Sequence, residues 1–184
     1  MSKVGKKELK IPSNVKVNIL KNLIEISSEL GKVSHKVNSK FYLELTKTSQ
    51  IKIKPQMSNN SCLNKEVKSL WGTEHRLLKN HLEGLSKGYR LALNLKGVGF
   101  KASINENNQL LLKLGYSHNI IYDIPSDIVI KCPKQDQIII FGINKINITT
   151  IAAKLRKLKR LDPYKGKGIL FENETIVLKE GKKK

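Results

Sequence analysis

Apolar residues along this chain switch twice from alternate spacing to helical spacing, a pattern that fits only sheets and helices in succession. Val15, Val17 and Ile19 alternate with Lys16 and Asn18, which predicts a half-buried strand after Pro12-Ser13. Ile24 and Ile26 begin a second strand, Gly31-Lys32 marks a turn, and Phe41 to Leu45 and Ile51 to Ile53 are further strands. Residues 55–65 read as a polar loop. From about Lys65 the period lengthens. Val67, Leu70, Trp71, Leu77, Leu78 and Leu82 share one side of a helical wheel, with Glu74 and His81 at its margin. Gly84 and Gly88 then stop the helix.

The cycle repeats. Tyr89, Leu91, Leu93 and Leu95 alternate, as do Phe100, Ala102 and Ile104. Asn105-Glu106-Asn107-Asn108 is a hairpin turn into Leu110, Leu112 and Leu114. Ile120, Tyr122 and Ile124 follow, then Ile128 and Ile130, then a buried strand over Ile138 to Phe141 that Gly142 ends. A second helix spans roughly Lys145 to Arg160, with loop and tail beyond it. The expected fold class is therefore α+β: two similar small domains, 1–82 and 83–184, each an antiparallel sheet packed against a helix, with basic extensions at both ends. Ile11-Pro12-Ser13 and Ile124-Pro125-Ser126, each before a strand, suggest an internal duplication.

Charge decides the class of partner. Thirty-five Lys and Arg oppose fifteen Asp and Glu over 184 residues, a formal +20. A compact body so charged repels itself unless a polyanion neutralises it. Only 4 of the basic residues are Arg, which disfavours bidentate base reading and favours ammonium contacts to a phosphate backbone. A membrane span would need ~18 consecutive apolar residues, and no such run exists. Cys62 and Cys132 stand 70 positions apart and form no metal-binding pair. Met1 to Glu8 lacks an apolar signal core, the pattern of a protein made where it works.

The second helix carries the clearest signal. Ile148, Ile151, Ala152, Leu155 and Leu158 gather on one arc; Lys154, Arg156, Lys157 and Arg160 take the other, and Lys159 flanks the apolar one. No acid occurs between Lys145 and Asp162, whereas an ordinary solvated face mixes signs. Next comes Pro163-Tyr164-Lys165-Gly166-Lys167-Gly168, where glycines let the main chain approach phosphate oxygens and Tyr164 can stack on a base or sugar. Gly97-Val98-Gly99 lacks the third glycine of a dinucleotide fingerprint and reads as a bend. His35, His75, His81 and His118 are scattered, and Asp123 and Asp127 flank a turn, so no catalytic constellation emerges.

These residues resemble one family over the whole chain. Pro163 to Ile169, preceded by Ala152-Ala153 and Arg156 and followed by Lys179 to Lys184, resembles the C-terminal signature of the bacterial-type large-subunit ribosomal protein L-six family. Met1 to Lys7, Gly72-Thr73, Asn80, Gly97 to Ala102 and Leu114 to His118 are similar to its other motifs, in the same order.

The resemblance implies a structural component of the large ribosomal subunit, not an enzyme and without a cofactor or metal. Its partners would be large-subunit rRNA, neighbouring large-subunit proteins and, transiently, translational GTPases near the stalk base; no membrane is implied. A free-standing DNA- or RNA-binding regulator is the alternative. The rRNA contacts carried over by the resemblance would be Arg156, Tyr164, Lys165, Gly166, Lys167, Gly168, Lys179, Lys182, Lys183 and Lys184, with Lys3 and Lys6 on the N-terminal arm; the basic face of the second helix adds Lys154, Lys157, Lys159 and Arg160. His75, Asn144, Thr149, Leu161 and Leu170 depart from residues usual in the family. The Leu178 to Gly181 ending and the abundance of Lys, Asn and Ile (68 together) suggest an organelle-encoded member, mitochondrial first, with plastid or bacterial cytoplasm as alternatives.

Overall fold

Each change of period becomes an element boundary in the computed structural model, which describes residues 4–20, 22–46, 49–56 and 65–181. Lys3, Cys62, most of the expected loop at 55–65 and Lys182 to Lys184 lie outside the described residues. The chain divides into two compact units, Met1–Gly88 and Tyr89–Lys184.

In the first unit β1 (Leu9–Lys10) is followed by a meander of β2 (Val15–Leu20), β3 (Leu23–Ser28) and β4 (Gly31–Lys36). A hairpin of β5 (Phe41–Thr46) and β6 (Gln50–Pro55) comes next, and then α1 (Lys65–Lys87). β6 pairs with both β5 and β1, giving a second three-stranded sheet. The second unit has the same order. β7 (Tyr89–Lys96) leads to a meander of β8 (Lys101–Ile104), β9 (Gln109–Lys113) and β10 (Ile120–Asp123). The hairpin β11 (Ile128–Lys134) and β12 (Gln137–Gly142) precedes α2 (Lys145–Leu158), and β12 pairs with β7 as β6 pairs with β1. All pairings are antiparallel. The fold is α+β with two similar halves, but the second half adds β13 (Gly168–Phe171) on the free edge of β7.

The topology also corrects the echo seen in the sequence. Ile11-Pro12-Ser13 precedes the first strand of a meander, whereas Ile124-Pro125-Ser126 precedes the first strand of a hairpin. The structural counterpart of Pro125 is Asn38: Phe41 donates its N–H to the Asn38 carbonyl at 2.9 Å as Ile128 does to Pro125 at 3.1 Å. Val15 makes the same turn onto Pro12, so one turn type recurs before three strands and is no mark of duplication. Other readings shift as well. Glu29-Leu30 form the turn and Gly31 opens β4. Gly84 does not stop α1; it is buried within it, and only Gly88, at φ +71° with its N–H on the Gly84 carbonyl, ends the helix. Residues 83–87 therefore continue α1. β12 is buried on one face alone, since Ile138 and Ile140 are inaccessible while Ile139 and Phe141 are half-buried.

Apolar burial holds each unit, at roughly 1.5–3 kcal/mol per large side chain removed from water. In the first unit Ile24, Ile26, Phe41, Ile51 and Ile53 from the sheets meet Trp71, Leu78, Leu82 and Leu85 of α1. Trp71 donates its indole N–H to the Ile53 carbonyl at 3.0 Å. Its ring lies so close to Gly5 that a Cβ there would sit 2.6 Å from ring carbons. Beside it His75, one of the departures, is buried and bonds the Lys7 carbonyl through Nε2 at 3.0 Å. A carbonyl only accepts, so Nε2 carries the proton and Nδ1 is left buried without a partner. Together Trp71 and His75 pin the N-terminal segment to α1. At the helix margin Glu74 accepts from His35 Nε2 at 2.9 Å, and the His35 and His81 rings lie 5.2 Å apart.

Burial, reinforced by nearby Arg76, Lys79 and Lys7, lowers the pKa of His75 below the ordinary value of 6.5, and burial and His35 lower that of His81. The unfolded chain therefore binds these protons first as pH falls. Stability is complete above about pH 6.5 and is lost as pH drops through that unfolded value, flattening below the folded ones. Trp71 is the one tryptophan and reports this unit alone. Urea titrations followed by its fluorescence should show a midpoint that falls between pH 7 and 5, and His75→Gln with His81→Gln should flatten that dependence.

Candidate nucleic-acid interface

α2 begins where Asn144, in extended conformation, accepts the Ile146 N–H on its side-chain oxygen at 3.0 Å. Asn and Asp cap equally well, so this departure from the usual residue leaves the helix start intact. Ile148, Ile151, Ala152 and Leu155 are buried in the second core against β7, β12 and β13. Leu158 is only half-buried. Lys154, Lys157 and Arg160 are exposed, as the wheel predicts. The helix stops at Leu158, two residues earlier than expected, because Lys159 turns to an extended φ of −141°.

The loop and tail expected beyond the helix are instead an ordered return. Asp162 organises it: its carboxylate accepts the Tyr164 N–H at 3.0 Å, its carbonyl accepts the Gly166 N–H at 2.8 Å, and its own N–H donates to the Lys167 carbonyl at 2.8 Å. Ile169 donates to the Lys159 carbonyl at 3.2 Å as the chain enters β13. Gly168 is buried against the preceding turn, where a Cβ would stand 2.8 Å from Leu161 Cα and 3.0 Å from the Arg160 carbonyl oxygen. Gly166, at φ +66°, lies under Leu178, and Lys179 donates to the Pro163 carbonyl at 2.9 Å, so the tail folds back over the loop. Both glycines thus serve close approach of the chain to itself. Ile169 joins the core, and Leu170, another departure, is buried as well, only 1% exposed.

Arg156 is also engaged within the chain. Its guanidinium pairs with Glu174, whose second oxygen accepts the Phe171 N–H, and lies 5.3 Å from the Phe171 ring centroid. It ties α2 to β13 and the tail. Thr149, a further departure, returns its hydroxyl to the Lys145 and Ile146 carbonyls.

Lys154, Lys157, Lys159, Arg160, Lys165, Lys167 and Lys179 form no ion pair among the described residues. Hydrogen bonds of the return join most of them into one surface, and Tyr164, 59% exposed, stands among them. The sequence reading missed a second component. The Lys159 ammonium sits 4.1 Å from the Tyr116 ring centroid and 6.0 Å from that of Phe100. Tyr116 donates its hydroxyl to the Leu158 carbonyl at 3.0 Å and stacks with His118 at 6.4 Å. The turns at Gly97–Phe100 and Gly115–His118 thereby flank the end of α2, the first with the half-buried ring of Phe100 and the second with the exposed rings of Tyr116 and His118. Alternation marks those stretches as strand ends, and nothing in their spacing reveals where α2 ends. Lys6 is exposed on the segment pinned to α1.

This arrangement gathers cations, hydroxyls and flat rings around the end of α2 and the return that follows it, groups of the kind that can meet ribose and phosphate. Comparison with known proteins gives a family. Residues 96–172 match the family described as ribosomal protein L6. The chain is 40% identical to large ribosomal subunit protein uL6m of Reclinomonas americana, 40% to uL6 of Paramagnetospirillum magneticum and 35% to uL6 of Bartonella bacilliformis. Each alignment covers 100% of both chains.

The packing at Gly168 sets a test. Gly168→Ala should destabilise the protein by about 1–3 kcal/mol, the usual cost of overpacking, in urea titrations followed by circular dichroism. Gly181→Ala, where a Cβ would meet nothing within 4 Å, should leave the midpoint unchanged.

Proposed function

The chain belongs to the uL6 family of large ribosomal subunit proteins, a structural and non-enzymatic family, and from that membership we propose how and where it binds. It docks on large-subunit rRNA through the second unit, with Lys154, Lys157, Arg160, Lys165, Lys167 and Lys179 against phosphates. Lys159, held over Tyr116, reaches the same strand, and Tyr164 stacks on a base or sugar. Arg156, Gly166 and Gly168 act at one remove, by fixing the loop. Lys3 and Lys6 of the first unit and Lys182 to Lys184 offer further cations to the same RNA. The observation that carries this reading is the set of cations from Lys157 through the return to Lys167 and Lys179, none of which forms an ion pair among the described residues.

Placement near the stalk base and the docking region of translational GTPases follows from the family resemblance, as does contact with neighbouring large-subunit proteins. The compartment we propose is the mitochondrion: a mitochondrial relative is 40% identical over its full length, and the Lys, Asn and Ile bias fits an organellar gene. Bacterial relatives reach the same identity, so gene location is the deciding observation.

Each phosphate neutralised by a cation releases counterions, so seven contacts give a log–log dependence of affinity on salt with slope about −5 to −6. Filter binding of the whole chain to a full-length large-subunit rRNA transcript should show that slope. Lys165→Ala with Lys167→Ala should make it shallower by about 1.5. A salt-independent affinity would end the reading.

A further inference from the structure

The two units carry equal charge: 17 basic and 7 acidic residues in 1–88, 18 and 8 in 89–184, so +10 each. The cations of the second unit have a use in the reading above. In the first unit, apart from Lys3 and Lys6 and the ion-paired Lys52, Lys54 and Lys79, the cations have none, and three of them share one sheet face. Register places Lys16, Ser27 and Lys32 in one row across β2, β3 and β4. Asn18, Glu25 and Ser34 form the next row, and Leu20, Leu23 and Lys36 the third. The opposite face, with Val15, Ile24 and Ile26, is buried toward α1, so these nine side chains form the open face. Six of them line a shallow concavity of about 500 Å³. Lys16, Lys32, Lys36 and Glu25 form no ion pair among the described residues.

We propose that this face is a docking surface for an acidic segment of another polypeptide. Its polarity is graded along the strands. Lys16 and Lys32 flank a hydroxyl at one end, and Leu20, half exposed, stands beside Leu23 at the other, about 13 Å away at strand rise. That gradient matches a chain presenting a carboxylate at the cationic row and an apolar side chain at the third. The middle row of Asn18, Glu25 and Ser34 supplies hydrogen-bonding groups between them. RNA is the poorer occupant. Glu25 in the central row repels any anion beside it, so the occupant's charge must be confined to the cationic row, which a polypeptide allows and a phosphate on every nucleotide does not, and none of the nine is an aromatic on which a base could stack. The cationic row gives charge complementarity and the carboxylate gives register.

The test uses large subunits isolated from cells that carry the full chain with a photoreactive benzoylphenylalanine at Ser27 or, separately, at Ser34. Both positions are on the face, so failure of one variant to assemble leaves the other. A third chain carries the label at Lys167, in the proposed rRNA-binding loop. Irradiation should join Ser27 or Ser34 to a polypeptide whose cross-linked segment, read by mass spectrometry, is rich in Asp and Glu. Lys16→Glu with Lys32→Glu should reduce that product about tenfold. Cross-links to rRNA, to a segment without acidic surplus, or to nothing overturn the proposal. So does a product indifferent to the charge reversal. The Lys167 label is independent: rRNA cross-links there uphold the proposed function even if the sheet face fails, and their absence counts against that function alone.

Discussion

The pairing of β13 with β7 is the constraint on which the basic surface depends. Without it, the nine residues between α2 and β13 would be a cationic loop whose ordering on RNA costs roughly 1–2 kcal/mol per residue in backbone entropy. With it, Ile169 is buried in the second core and Leu170 beside it is buried too, and the return from Lys159 to Lys167 is closed by hydrogen bonds at both ends. The strand can dock only because Gly168 lets the chain pass Leu161 at contact distance. Arg156 and Glu174 close the same arrangement from the helix side. The cations are thus presented on a support that folding has already ordered, so their attraction to phosphate is not spent on arranging them.

This changes what the glycines of the basic loop are for. By sequence, alternating Lys and Gly suggests a main chain bared toward its ligand. In the fold, Gly166 sits beneath Leu178 and Gly168 against Leu161, and the N–H of Gly166 is already bonded to the Asp162 carbonyl. The side chains of Lys165 and Lys167 point the other way, into solvent, because their neighbours face inward. A glycine beside a lysine has the same spelling whether ligand or protein fills the space of the missing Cβ. Only the fold distinguishes them.

The architecture was legible wherever one face of an element is buried against a single partner. Val15 to Ile19, Leu110 to Leu114 and the arcs of both helices obey their periods because water lies on the other side. Legibility failed where tertiary contacts set the outcome. Gly168 to Leu170 are all buried, so they show no alternation, and four residues after a glycine-rich loop carry no local sign of a strand. His75 is polar by type yet occupies the core stripe with Trp71 and Leu78, because the Lys7 carbonyl from a distant segment meets it there. The cluster of Phe100, Tyr116 and Lys159 joins three separate stretches, and no spacing along one of them encodes the others. Duplication was suggested by a matching tripeptide and is supported by something else: the order of strand, meander, hairpin and helix, which survives after the residues have diverged.

Net charge identifies a partner class but does not locate the interface. Both units carry +10, yet they hold that charge differently. In the first, Lys52, Lys54 and Lys79 each face a glutamate, at Glu8, Glu44 and Glu83. In the second, the one ion pair among the described residues ties Arg156 into the support, and the cations around it are left open. Self-repulsion within such a group falls with distance and is strongest at the end of α2, where Lys157, Lys159 and Arg160 follow one another. The ring of Tyr116 beneath Lys159 offsets part of that repulsion without neutralising the charge, as a carboxylate would. An aromatic face can hold an ammonium in place and still leave it free to meet a phosphate. The shortest cation–ring contact among the described residues therefore falls in the same stretch as the densest run of unpaired cations, which is what the proposed interface rests on.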